Sequence, residues 1–236
     1  MKRIFVPTSG TNDWRRLLAD PERQWVKGRS ALELAVSWEA ARLSDRGLPA
    51  AVMNLLDSHS KFNGAALLIG IPEHQVALEG GGHASQTDLW ALLSADAGLV
   101  SMAVEAKAGE AFDKTINEWL ADTKPGSGKP ERLKQLRTIL GLENAAIGAL
   151  RYQLFHRAAS ALLEAKRFRA PNAILLVQSF ESDLDSLADF SEFGKALGCQ
   201  CGAGAIVEGP MLQNVRLHLA WVDCAPANQD DLASAI

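Results

Sequence analysis

The chain has 236 residues, of which 47% are hydrophobic and 22% are charged, and its formal net charge at pH 7 is −4. This composition is ordinary for a globular protein of one domain that buries a sizeable core. No run approaches the roughly 20 apolar residues of a membrane span, and residues 1–5 have no signal-peptide core, so we predict a cytoplasmic protein without a membrane partner.

Charge is unevenly distributed along the chain. Residues 124–169 contain 10 basic and 3 acidic side chains, a balance of +7, whereas residues 1–123 and 170–236 carry −4 and −7. Such a basic block either follows a phosphate backbone or forms a solvated helical face. The three cysteines, Cys199, Cys201 and Cys224, lack a second metal-type pair and are expected to be free thiols.

We predict an irregular N-terminal extension over residues 1–29, a core over residues 30–222 and a fraying tail over residues 223–236. Ser30 and Glu33 have the spacing of a capping box, and the helix that follows has an apolar period near 3.6. A second, shorter helix is predicted over residues 50–57.

The middle of the chain predicts strands. Residues 65–71 and 75–79 are two short runs, one or both of which form a first strand. Residues 86–93 and 99–107 follow as two apolar runs with a short connection. Gly98 is a natural site for positive φ, so these runs are expected to form a β-hairpin.

Helices dominate the next part. The pattern predicts helices over residues 111–120, 131–140 and 143–168, with a basic Gly- and Pro-rich linker at residues 124–130. The longest helix has a polar stripe that either faces the site described below or faces water; it comprises Gln153, His156, Arg157, Ser160 and Glu164. A buried strand at 172–179, a helix after it and an edge strand at 215–222 complete the expected order.

Two acids and a lysine lie within the apolar hairpin. Glu105 and Lys107 project from the same face of their strand, because side chains alternate. Folding the hairpin places Asp88 opposite residue 104 or 105, where facing Cβ atoms lie roughly 4.5–5.5 Å apart and two carboxylates can share a cation. A slip of one residue would separate the acids. The alternative is an edge hairpin whose charges face water.

Asp88 followed by Glu105-x-Lys107 at the end of an apolar strand resembles the active-site signature of the PD-(D/E)XK nuclease superfamily. The residues 82–88 and 151–157 also resemble a bacterial branch of it. The resemblance extends from about residue 30 to 222, although Thr87 replaces the Pro that often precedes the Asp. It implies a restriction-endonuclease-like α/β fold, with a mixed central sheet built from a β-meander, a helix and a strand and flanked by helices.

The resemblance also implies site roles. Asp88, Glu105 and the carbonyl of Ala106 would hold Mg²⁺ or Mn²⁺, and Lys107 would position the attacking water. Gln153 and Arg157 are candidates for contact with nucleic acid, and Glu79 is a candidate additional acid.

The sequence therefore predicts a metal-dependent nuclease that hydrolyses phosphodiester bonds, with DNA favoured over RNA. The alternative is a catalytically inactive nuclease-fold domain that binds nucleic acid or a protein. Whether the chain forms an oligomer stays open.

Overall fold

The computed structural model describes Thr8 and residues 10–80, 82–181 and 184–227. The strands are β1 (Ala66–Val76), β2 (Ser85–Ala95), β3 (Gly98–Lys107), β4 (Asn172–Ser179), β5 (Ala205–Leu212) and β6 (Val215–Asp223). The α-helices are α1 (Pro21–Gln24), α2 (Ser30–Ala41), α3 (Ala50–Asp57), α4 (Ile116–Ala121), α5 (Lys129–Leu140), α6 (Tyr152–Phe168) and α7 (Leu184–Ala196). A 3₁₀ helix, Thr11–Leu17, precedes them.

The six strands form one mixed sheet in the order β1-β2-β3-β4-β6-β5. The first three form an antiparallel meander. Strands β3, β4 and β6 run parallel, and β5 is antiparallel to β6. The prediction of an α/β protein with a meander in a mixed sheet flanked by helices is confirmed.

Helices cover both faces of this sheet. Strand β4 is buried along its whole length, as expected for a parallel strand between two layers. Its residues Leu175 and Val177 pack with α5, α6 and α7, whereas Ile174 and Leu176 pack with α2 and α3. The period of two along β4 therefore supplies two separate cores.

Two strand predictions were wrong in their limits. One strand, β1, covers residues 66–71 of the first run, continues through Pro72 and ends at Val76, so residues 77–79 of the second run lie outside it. Because β1 is at the sheet edge, a proline that cannot donate a ladder hydrogen bond is tolerated there. The predicted edge strand at 215–222 is instead internal, because the unpredicted strand β5 lies outside it.

The starts of α4 and α6 also differ from the prediction. Residues 143–151 do not extend α6, because the backbone of this segment pairs with the start of α4: Ile116 N donates to Leu150 O at 2.9 Å, and Tyr152 N donates to Lys114 O at 3.0 Å. Helix α4 begins five residues later than predicted, after a capping box formed by Thr115 and Glu118.

The capping box predicted for α2 is absent. Ser30 lies within the helix, and Arg29 at the N-cap makes no side-chain cap. The backbone N–H and the hydroxyl of Ser30 instead donate to Glu110, and Glu33 accepts from the backbone N–H groups of Gly28 and Ala227.

The described part of the N-terminal extension is more ordered than predicted, since it contains the 3₁₀ helix and α1. In the predicted tail, residues 224–227 have no regular structure, and residues 228–236 lie outside the described residues. Within the described ranges, none of the helices has the length and apolarity needed to cross a bilayer.

Candidate active site

A cavity of about 530 Å³ opens where β2 begins and β3 ends. Strands β1, β2 and β3, helix α6 and the segment around α1 all contribute to its wall. Its charged and amide side chains are Asp20, Arg23, Gln24, Arg29, Glu73, Gln86, Asp88, Glu105, Lys107, Glu110, Gln153 and Arg157. The N-terminal extension is therefore one side of the cavity that contains Asp88, Glu105 and Lys107.

The hairpin register brings the two predicted acids to the same place. Leu89 pairs with Val104, and continuing this register by one residue sets Asp88 against Glu105. Asp88 Oδ2 also accepts a hydrogen bond of 2.9 Å from the backbone N–H of Ala106. Gly98 has φ 99°, as predicted for the turn that fixes this register.

Glu105 is at the centre of the polar network. Only 1% of its surface is exposed. Its Oε1 accepts from Lys107 Nζ at 2.8 Å and from Gln153 Nε2 at 2.6 Å, and its Oε2 accepts from Arg157 Nε at 2.6 Å. A buried carboxylate needs such charge-assisted partners to offset the cost of leaving water. The alternative of a hairpin with water-facing charges is therefore wrong.

Arg157 connects the two acids. Besides its bond to Glu105, its Nη2 lies 3.4 Å from Asp88 Oδ1. Its own side chain is nearly fully buried. The guanidinium thus occupies the position between Asp88 and Glu105 at which a shared cation is expected.

Lys107 is held by three neighbours. Its Nζ contacts Glu105, donates to Gln153 Oε1 at 3.2 Å and lies 4.7 Å from the ring centre of Phe112. The backbone N–H of Asp113 donates to the same Gln153 oxygen at 3.2 Å. The ammonium is therefore held at the cavity wall by Gln153 and Phe112 as well as by Glu105.

The polar stripe of α6 faces the protein and not water. Gln153 and Arg157 reach the cavity, as predicted. Ser160 and Glu164 are buried, with Ser160 bonded to Ser85 at 2.8 Å and Glu164 lying 3.4 Å from His74. The solvent-facing alternative for this stripe is excluded.

The acid that β1 contributes to the cavity is Glu73 and not Glu79; Asp20 and Glu110 line the cavity as well. Glu79 is exposed beyond the end of β1 and lines a different cavity, beside α5. Glu73 lies within β1 and accepts from Gln86 Nε2 at 2.7 Å. Its backbone has φ 51°, a left-handed conformation that a non-glycine residue rarely adopts. The sequence prediction missed Glu73 because it falls in the gap between the runs 65–71 and 75–79. In the structure it lies between Pro72 and His74, which pair with Leu89 and Thr87 of β2.

The three acids titrate differently. Burial, then the charge of Glu105, raises the pKa of Asp88 to about 6. Burial, then the charge of Asp88, raises the pKa of Glu73 to about 8. Burial acts in the same direction on Glu105, but Lys107 and Arg157 outweigh it and lower its pKa to about 2. At neutral pH Glu105 is therefore firmly ionised, whereas Asp88 and Glu73 take up protons more easily.

The donor chemistry fits a hard divalent cation. Asp88, Glu105 and Ala106 line one cavity. Proteins commonly bind Mg²⁺ through one or two carboxylates, and water molecules complete its octahedral coordination. Within the described ranges, no three His, Cys, Asp or Glu side chains are grouped closely enough to hold a metal by themselves. Because Arg157 contacts both Asp88 and Glu105, a cation bound between these carboxylates would have to displace its guanidinium.

Comparison with known proteins gave one match. A family model described as "Domain of unknown function (DUF6946)" matches residues 7–226, which include every element of the sheet and the whole cavity. Searches of curated proteins and of solved structures found no match.

Proposed function

The chain belongs to the DUF6946 family, and we propose that it is a restriction-endonuclease-like, divalent-cation-dependent hydrolase of nucleic-acid phosphodiester bonds. The observation that carries the proposal is the convergence of Asp88, Glu105 and Lys107 in one cavity. Gln153 and Arg157 of helix α6 complete the set. DNA is the first substrate to test, and Mg²⁺ or Mn²⁺ is the proposed cofactor.

Each side chain has a role that follows from its chemistry. Asp88, Glu105 and the Ala106 carbonyl would hold the cation, which supplies Lewis-acid stabilisation of charge and lowers the pKa of water. Lys107 places a positive donor where negative charge develops on the phosphorus oxygens. Gln153 keeps that ammonium oriented, since its amide bonds to both Lys107 and Glu105.

Arg157 would change partners during this reaction. Its guanidinium can leave the carboxylates for a phosphate, which it recognises through two parallel hydrogen bonds. Asp88 and Glu105, released from Arg157, would then be the residues that hold the cation. The guanidinium of Arg157 would thereby pair with the substrate phosphate instead of the two carboxylates.

One observation favours the alternative function, a nuclease-fold domain that binds nucleic acid or a protein without cleaving. Glu105 already accepts three hydrogen bonds from Lys107, Gln153 and Arg157. If this network is too stable to open, no cation enters and no hydrolysis follows. The two functions therefore differ in metal binding before they differ in activity.

The test measures Mn²⁺ and Mg²⁺ binding by calorimetry, and then cleavage of double-stranded DNA, single-stranded DNA and RNA. Asp88→Asn should abolish specific metal binding and cleavage. Lys107→Ala should retain metal binding and lose cleavage, with folding checked by circular dichroism. The control is Lys61→Ala, because Lys61 is a surface lysine paired with Glu208. Absence of metal binding in the unmodified protein would contradict the proposal.

A further inference from the structure

A second cavity, of about 430 Å³, lies beside the start of α5 and α6. Its titratable lining side chains are His83, Lys129, Arg132, Tyr152 and His156. Within the described part of the chain, no carboxylate lines it. The first cavity, by contrast, is lined by five acids, Asp20, Glu73, Asp88, Glu105 and Glu110. The second cavity is thus electrostatically suited to an anion.

The wall of this cavity is tightly constructed. Gly80 follows β1 and Gly128 precedes α5, and a Cβ added to either would overlap the backbone of the other. Arg132 Nε donates to the carbonyl of Glu79 at 3.2 Å, and Gln135 Oε1 accepts from the N–H of Glu79 at 2.7 Å. The loop before β2 is therefore fixed against α5, which holds the cationic side chains in place.

Lys129 is positioned without a carboxylate partner. Its Nζ donates to the carbonyl of Trp119 and lies 5.1 Å from the centre of that ring. Trp119 stacks on Tyr152 with ring centres 4.0 Å apart. Among the described residues Lys129 forms no ion pair, so its charge remains available to an anion in the cavity.

His156 adds a neutral hydrogen-bond donor. Its Nδ1 lies 3.3 Å from Arg157 Nη1 and 2.8 Å from Ser85 Oγ. A guanidinium can only donate, so Nδ1 accepts and the proton of a neutral ring is on Nε2. Burial, then the charge of Arg157, holds the pKa of His156 well below 6.5, so the ring is neutral at pH 7. Nε2 has no hydrogen-bond partner in the described residues, and the ring lines the cavity.

We propose that this second cavity binds a phosphate group through Lys129, Arg132 and the Nε2–H of His156. A phosphate offers at least two non-bridging acceptor oxygens and a negative charge, which the cations of Lys129 and Arg132 can match. The assignment of that phosphate to a nucleic-acid substrate rests on the proposed function. It would then be a phosphate other than the one hydrolysed, because the Arg157 side chain lies between His156 and Glu105 and contacts both.

The first experiment uses inorganic phosphate in EDTA, so it does not depend on metal or catalysis. Phosphate should raise the melting temperature relative to chloride at equal ionic strength. Lys129→Gln should weaken the apparent phosphate affinity at least fivefold. Lys129→Arg should retain it. Lys134→Gln is the matched control, because Lys134 is exposed on the same helix and lines a different cavity.

The second experiment uses fluorescent oligonucleotides with and without a 5′-terminal phosphate, again in EDTA. Lys129→Gln should reduce the slope of log affinity against log salt concentration by about 1, and Lys134→Gln should leave it unchanged. If Lys129→Gln reduces the salt dependence only for the 5′-phosphorylated oligonucleotide, the cavity binds a terminal phosphate. If it reduces the salt dependence for both oligonucleotides, the cavity binds an internal phosphate. The proposal is overturned if the unmodified protein shows no phosphate effect, or if Lys129→Gln behaves like Lys134→Gln. Failure of the proposed function would appear elsewhere, as absence of metal-dependent cleavage with these readings intact.

Discussion

Replacing Arg157 by Gln removes the buried cation that lies between the two candidate metal ligands. Arg157 contacts Glu105 at 2.6 Å and Asp88 at 3.4 Å. Removing one partner of a buried ion pair costs about 3–5 kcal/mol, because an uncompensated charge stays in the interior. Lys107 still neutralises Glu105 in the variant, so we expect the lower end, about 3 kcal/mol of unfolding free energy.

A divalent cation should offset much of that loss. Without Arg157, the space between Asp88 and Glu105 has no competing guanidinium, and the carboxylates gain most from a metal. A ligand at 100 times its Kd stabilises the folded state by about 2.7 kcal/mol. In Arg157→Gln, saturating Mn²⁺ should therefore restore most of the unfolding free energy that the substitution removes.

The assay is urea denaturation in EDTA and in Mn²⁺, followed by circular dichroism. The matched control on the same helix is Arg167→Gln, because Arg167 is largely exposed, pairs with Glu164 at 3.5 Å and touches neither candidate metal ligand in the described contacts. An ion pair whose cation is largely exposed contributes about 1 kcal/mol or less. Mn²⁺ should therefore not change the stability difference between Arg167→Gln and the unmodified protein. Equal Mn²⁺ stabilisation of Arg157→Gln and the unmodified protein would refute the reasoning that Arg157 competes with a cation.

Three further predictions concern stability. Because the pKa of Glu73 is raised to about 8, the folded state binds its proton more tightly than the unfolded chain, whose Glu titrates at about 4.3. The contribution of Glu73 to the free energy of unfolding therefore falls as pH rises between these values. In urea titrations from pH 5 to pH 9, Glu73→Gln should become progressively more stable relative to the unmodified protein. A pH-independent difference in stability would contradict this. Gly80→Ala should destabilise at least twice as much as Gly82→Ala, since both have positive φ (82° and 74°) but only Gly80 meets neighbouring backbone; equal thermal shifts would contradict the contact. Trp38→Phe should cost about 1–3 kcal/mol beyond its lost packing, because Trp38 Nε1 donates to the buried Gln178 at 3.0 Å, and an unchanged urea midpoint would count against that bond.

The hairpin was predictable because its signals are local. An apolar run on each side, a short connection and Gly98 fixed the turn, and alternation then placed Glu105 and Lys107 on one face. The register was not predictable from loop length. It follows in the structure from the two-residue turn, in which Ala95 pairs with Gly98.

Features that depend on tertiary context were missed. Pro72 and the left-handed Glu73 interrupt β1 in sequence, but an edge position tolerates both. Strand β5 contains Gly209 and Pro210 and has an irregular register between Glu208 and Met211. Local preference argues against a strand there, and pairing with β6 overrides it.

The polar stripe of α6 shows what helical periodicity alone does not predict. Spacing placed Gln153 and Arg157 on one face of a helix but left open whether that face meets the site or water. The answer depends on Glu105 lying beneath it, which only the packed sheet determines. The start of α6 also depends on tertiary contacts, since the carbonyls of Gly148 and Leu150 accept hydrogen bonds from the start of α4.

The central claim is that Asp88 and Glu105 share a divalent cation once Arg157 moves aside. The most direct measurement is a crystal grown with Mn²⁺ and collected at a wavelength where manganese scatters anomalously. We predict an anomalous peak in direct contact with both carboxylates and a guanidinium rotated away from them. A crystal saturated with Mn²⁺ that shows Arg157 still bridging the two acids, with no peak between them, would contradict the account.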